Sequence, residues 1–203
     1  MSELYRDLTL AEVGAAQAVL RNDLVDIDAM ASLMGTTSKA AGLTVETLRG
    51  STFLERAVLC ALLSRLKRVP VESIGWPDVD LAFVVYGVFR EAGTPMHPAP
   101  DLTLDELSAV GAAMRNERVA DHMLAAFLSD SPSAVREMLT VACRSCVLDD
   151  VLTACLLLRL HGLRVDPREI NSALSAVLEH QVTELRRAIW RSEERRVGKE
   201  CRS

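Results

Sequence analysis

The sequence predicts an all-α fold, a helical bundle with no sheet, from three observations. Helix start signals recur along the chain, strand-like alternation is nearly absent, and two stretches repeat at one fixed spacing. At 49% hydrophobic over 203 residues, the chain can bury a real core as one domain or two small ones.

The elements follow in order. Thr9-Leu-Ala-Glu12 is a capping box, in which the Thr hydroxyl and the Glu carboxylate each satisfy an orphan N–H, and it opens a helix over 10–22. Periodicity carries a second helix over 24–34 to Gly35, and a short third over 44–49 between Gly42 and Gly50. Thr52-Phe-Leu-Glu55 repeats the box and opens 53–68, and a helix over 78–91 follows the break at Gly75–Pro77. Segment 93–103, GTPMHPAPDLT, holds three prolines without periodicity and reads as a linker. Thr103-Leu-Asp-Glu106 opens 104–115, and 118–129 follows Asn116. Ser131-Pro132 opens 133–145, a helix over 147–161 ends at Gly162, and Asp166-Pro167 opens 167–190. Helices 53–66, 79–89 and 147–160 are apolar nearly all round and are expected at the centre of the bundle.

The repeat organises these elements. DLTLAEVGAAQAVLRN (7–22) lies over DLTLDELSAVGAAMRN (101–116) with nine of sixteen positions identical, at an offset of 94. The same offset, ungapped, lays STFLERAVLCALLSRL (51–66) over SCVLDDVLTACLLLRL (145–160) with six of sixteen identical. Capping boxes and Leu-rich helices resemble each other for physical reasons, but a common ungapped offset favours a tandem duplication. The expected units are 1–93 and 101–190, with 94–100 as the linker. Their apolar helices 53–66 and 147–160 would be equivalent, packed in their own halves or across a pseudo-twofold axis.

The tail is unlike the rest. Five of the 23 basic and three of the 28 acidic residues fall in 191–203, so residues 1–190 hold 18 and 25, a net charge of −7. RSEERRVGKECRS, residues 191–203, is similar throughout to the translation of a constant adapter ligated to DNA fragments for short-read sequencing. The tail is therefore read as not native, with the natural gene product truncated at Trp190. Its arginines support no site. The acidic body repels nucleic-acid backbones on average, and no apolar run reaches the length that spans a bilayer. No signal peptide opens the chain, so a cytoplasmic location with reduced thiols is expected.

Candidates for chemistry are few. Cys143 and Cys146 form one C-x-x-C, the best metal candidate, but zinc needs four ligands. On a continuous helix Cys155 lies about 13 Å beyond Cys146 at ~1.5 Å per residue, too far to join the same tetrahedron. Core packing is the favoured role of both, and no cofactor is expected. His97, His122, His161 and His180 are scattered, and Asp149-Asp150 point about 100° apart on a helix. If the chain is an enzyme, Cys143, Cys146, His122 and Asp149 are its candidates. Segment 29–48 has helix-turn-helix spacing at Ala31 and Gly35, yet its second helix offers one basic residue where base reading needs several. No phosphate loop, G-x-S-x-G or H-E-x-x-H occurs.

LERAVLCALL (54–63) resembles the opening of the N-terminal helical domain of hexameric replicative helicases, and VVYGVFREAGTP (84–95) is similar to that domain's second hairpin helix and exit. The likeness implies a replication-factor helical domain. It covers packing positions only; the residues before it depart from the pattern, and the chain has no helicase ATP site. The sequence thus leads to a non-enzymatic interaction or scaffold module with a protein partner, a homo-oligomer being compatible. A nucleic-acid-associated regulator or replication-factor domain and a helical enzyme are the alternatives.

Overall fold

The computed structural model describes residues 6–94, 96–128, 130–136, 147–170, 172–177 and 179. Most of the helix expected over 133–145, the stretch 180–190 and the tail 191–203 lie outside these residues, as do Cys143, Cys146 and His180. The helices are α1 (Leu10–Arg21), α2 (Ile27–Met34), α3 (Ser38–Leu48), α4 (Thr52–Lys67), α5 (Trp76–Ala92), α6 (Leu104–Met114) and α7 (Asp121–Leu128). Next come α8, which opens at 132 and is described through 136, α9 (Val147–Leu160), and α10, which opens at 167. The architecture is predominantly helical. No helix among the described residues is long and apolar enough to cross a membrane.

Local chemistry sets the boundaries. Both Thr9 and Thr103 form complete capping boxes, with Glu12 and Glu106 reaching back to the cap N–H. Ser51 rather than Thr52 caps α4, its hydroxyl accepting from the Leu54 N–H at 3.3 Å, so that helix starts one residue early. The third helix was expected over 44–49 but begins at Ser38, capped by Thr37. Gly42 does not break it; a Cβ there would meet Ile27 of α2 at an ordinary 3.5 Å.

The expectation of no sheet is corrected at one place. His97–Pro98 (β1) pairs antiparallel with Leu163–Arg164 (β2), His97 opposite Arg164. Pro98 holds His97 extended, and Gly162 at φ 73° turns the chain out of α9 to meet it. The segment read as linker is therefore tied to the end of α9.

At the core, α4 and α9 are buried along most of their lengths, as their all-apolar sequences require. The central position expected for 79–89 is corrected. Val79, Ala82, Val85 and Phe89 of α5 are buried, but Val84 and Val88 are 44% and 40% exposed. An all-round apolar helix can lie on the outside when only one of its faces finds partners.

Inside the bundle lies a buried carboxylate met by arginine, and the arrangement occurs twice. Glu12 Oε1 takes the Arg65 guanidinium at 3.3 Å, the Arg6 guanidinium at 2.6 Å and the Ser32 hydroxyl at 2.7 Å. Glu106 Oε1 takes Arg159 at 3.1 Å, and Arg159 also donates to the Phe127 carbonyl at 2.9 Å while lying over its ring. The partners are 94 residues apart, Glu12 with Glu106 and Arg65 with Arg159. Left-handed backbone recurs at the same spacing, at Asn22 and Asn116 and at Arg68 and Gly162. Burial alone would push the Glu12 carboxyl up, but hydrogen bonds from Ser32, Thr9 and Arg6 outweigh it and hold it below the usual carboxylate range.

Two further arginines reach between helices distant in sequence. Arg21, at the end of α1, donates to the Leu160 carbonyl of α9 at 3.1 Å and pairs with Asp101 at 3.0 Å. Arg115, 94 residues on, donates to the Leu66 carbonyl of α4, which is 94 residues before Leu160. Gly111 permits that approach: a Cβ there would stand 3.0 Å from the Leu66 carbonyl oxygen.

Two stability outcomes follow. Arg159 is 2% exposed and Arg65 10%, and among the described residues Glu12 keeps other donors while Glu106 keeps its own cap. Arg159→Ala should therefore cost about 3–5 kcal/mol in urea unfolding, and Arg65→Ala clearly less. Gly111→Ala should cost about 1–3 kcal/mol in the same measurement by crowding the seam; a neutral result would refute that reading.

Candidate functional site

The first turns of α4 and α5 form an apolar outer face. Ser51 caps α4 and sets Phe53 on its outside, while Gly75 and Pro77 start α5 around Trp76. The two rings, each about half exposed, stack with centroids 5.8 Å apart. Arg56 lies over the Phe83 ring at 5.3 Å and pairs with Asp80 at 2.7 Å. Val84 and Val88 continue the face toward the far end of α5. Gly87 lies between Val84 and Val88 toward its C-terminal end, and a Cβ there would meet nothing within 4 Å among the described residues. A helix-interior glycine costs roughly 0.5–1 kcal/mol against alanine, so the chain's own packing gives no reason for it.

Three cavities that carry charged or hydroxyl side chains differ from it. One of about 570 Å³ lies between α2 and α4, lined by Arg6, Ser32, Ser64 and Arg65. Its arginines already hold Glu12. A second, about 480 Å³, gathers His97, Asp130, Arg164, Asp166 and Arg168 beside the strand pair. Both carboxylates there accept from nearby backbone, Asp130 from the Ser131 N–H at 2.7 Å and Asp166, which precedes α10, from the Arg168 N–H at 2.8 Å. The third, about 350 Å³, runs along the seam past Arg65, Arg68, Gly111 and Arg115. These cavities could admit a polar ligand; none aligns a nucleophile with a base in the pattern that nucleophilic catalysis uses.

The residues singled out from sequence are scattered. Cys143 and Cys146 lie outside the described residues. His122 is exposed in the first turn of α7, and Asp149 of α9 accepts from Lys67 at 2.6 Å, an ion pair tying α9 to α4. Among the described residues no three His, Cys, Asp or Glu side chains are placed to hold a metal. Cys60 and Cys155 are buried, and burial pushes the Cys155 thiol up to about 12 despite Arg159 nearby. The helix-turn-helix spacing is real as α2–Gly35–α3, but α3 turns Lys39 and Glu46 outward together. In the helicase-like stretch, Leu54, Val58, Leu62 and Leu63 are core residues of α4 and Val85 and Phe89 of α5, so packing accounts for the likeness. Sequence reasoning missed Phe53 and Trp76. Their one signal was an aromatic beside a helix cap, which does not by itself give a direction.

His161 has the most displaced histidine environment described. It ends α9 stacked on Tyr86 of α5, ring centroids 4.6 Å apart and planes within 3°. Burial lowers its pKa to about 4, Arg21 and Arg90 add to this, and the Leu20 backbone opposes it.

The chain matches no protein-family model, no curated protein and no solved structure.

The His161 shift has a definite sign. A histidine neutral in the folded state and protonated in the unfolded state loses stability as pH falls from about 6.5 toward about 4. Denaturant midpoints measured across that window should fall in the parent chain and fall less in His161→Gln. Equal slopes would place the acid sensitivity elsewhere, with Glu12 the next carboxyl to test.

Proposed function

We propose that the chain is a non-enzymatic helical interaction module and that a protein partner docks on the outer face of α4 and α5. The observation that carries this reading is the stacked, half-exposed Phe53–Trp76 pair continued by Val84 and Val88. Aromatic side chains are the usual anchors of protein interfaces, and leaving them in water forgoes roughly 1.5–3 kcal/mol for each large apolar group. Arg56 at the rim adds a cation that can follow a partner's acid.

We further propose that residues 1–93 and 101–190 are two copies of one unit joined by 94–100. The paired Glu–Arg contacts, the recurrent left-handed positions and the crossing of Arg21 and Arg115 support this, all at a spacing of 94. In that reading the crossing relates the copies by a pseudo-twofold axis, and the scaffold's rigidity comes from it. A cytoplasmic setting is part of the same proposal.

A photo-reactive phenylalanine analogue at position 53, and separately at the α3 position 46, tests the module in cells. The expected result is a discrete protein adduct from position 53 that disappears on adding Val84→Glu, with none from position 46. No adduct at 53, or adducts only to nucleic acid, would overturn the reading.

A further inference from the structure

We propose that the cavity of about 570 Å³ between α2 and α4 binds a small organic monoanion, a carboxylate that carries an apolar body. The inference goes beyond the docking face and is independent of it. One of its arguments, the comparison of positions 94 apart, rests on the reading of the chain as two copies; the cavity itself does not.

Charge selects an anion. Arg6 and Arg65 both line the cavity, and Glu12, 1% exposed behind them, meets the first at 2.6 Å and the second at 3.3 Å. Two guanidiniums thus face one carboxylate, which leaves a net positive charge at the wall. Arg6 is 49% exposed and reaches Glu12 through Nη2. A guanidinium has five N–H donors in a planar fork that fits a second carboxylate.

The rest of the wall narrows the class. Met34 and Gly35 end α2 at the cavity, and carbonyls at a helix C-terminus carry partial negative charge. They oppose a second charge on the ligand, as on phosphate. Leu33, Met34, Ala61 and Val71 form an apolar side, and the volume lies within the ~300–1,000 Å³ of small-molecule sites.

The cavity has a filled counterpart. At a spacing of 94, Leu33, Ala61, Ser64 and Arg65 correspond to Phe127, Cys155, Leu158 and Arg159, which line a space of only about 10 Å³. Phe127, Cys155 and Leu158 are each larger than the residues they match, and Arg159 is 2% exposed. Pro100 stands at the position of Arg6, so the second guanidinium is missing there; its carbonyl still accepts from Arg159, as the Arg6 carbonyl accepts from Arg65. The outer part persists as the cavity of about 480 Å³, but Asp130 replaces Thr36 in its wall and Arg159 does not line it. The same packing therefore accepts a filled core. The open version forgoes the burial that phenylalanine and leucine would supply, and it adds an arginine.

Calorimetric titration of the full chain with octanoate is the test, with octanol and inorganic phosphate as comparison probes. Octanoate should bind saturably with a Kd of about 1 mM or tighter, and octanol and phosphate each about tenfold more weakly or worse. Arg6→Gln should weaken octanoate about tenfold, with circular dichroism unchanged. Leu33→Phe with Ser64→Leu, the residues of the filled counterpart, should abolish binding while leaving the melting temperature equal or higher. No saturable octanoate binding, octanol or phosphate binding equally well, or octanoate indifferent to Arg6→Gln would overturn the proposal. A double variant that unfolds would overturn the comparison between the two copies and leave Arg6→Gln to decide the site.

Discussion

The structure depends on an anion that cannot be left alone. Glu12 and Glu106 are drawn inside because each closes a helix start, and a carboxylate in a low-dielectric core needs a cation. Arg65 and Arg159 supply it from α4 and α9, whose apolar side chains line the core. One side chain thus fixes a helix start, the rotation of a central helix and the distance between them. Leucines in α4 and α9 could slide or turn at little cost; the arginine cannot, because its acceptors have fixed directions. Apolar burial supplies the bulk of the stability, and the ion pairs select one packing among several of similar area.

The seam where α1 meets α9 and the end of α6 meets α4 uses the same chemistry at lower stakes. Helix ends leave carbonyls without partners, and at Leu66 and Leu160 those carbonyls receive the guanidinium of Arg115 and of Arg21. A carbonyl at a helix C-terminus carries partial negative charge, so an arginine there is favoured twice over. The ion pair of Arg21 with Asp101 extends the contact, but half of it faces water and it adds little by itself. The strand pair at His97–Pro98 and Leu163–Arg164 then ties the connecting segment to α9.

Much of this was legible in the sequence where the signal was local. Thr9 and Thr103 with their glutamates announced two helix starts, and Asp166-Pro167 a third. The spacing of 94 showed which residues to compare, and comparing them is how Arg65 and Arg159 are found to do one job. What stayed hidden was direction. An all-apolar run such as 79–89 says that burial is available without saying which face is buried, so the exposure of Val84, Val88 and Trp76 could not be read. Gly42 looked like a break because glycine usually is one, yet Ile27 packs beside it and holds the helix. The strand pair was invisible because two residues carry no periodicity.

The crossing arginines also impose an order on synthesis. Arg21 and its acceptor at Leu160 are 139 residues apart, whereas Arg115 and Leu66 are separated by 49. At ~5–20 residues per second, Arg21 waits roughly 7–28 s for the Leu160 carbonyl to be made, and α5, which ends at Ala92, waits through the last roughly 3–14 s of it. During that interval α5 has nothing to cover the face that later packs on α9, and Tyr86 has no His161 to stack on. Until α9 is made, the nascent chain therefore presents that face of α5 to chaperones and to neighbouring nascent chains.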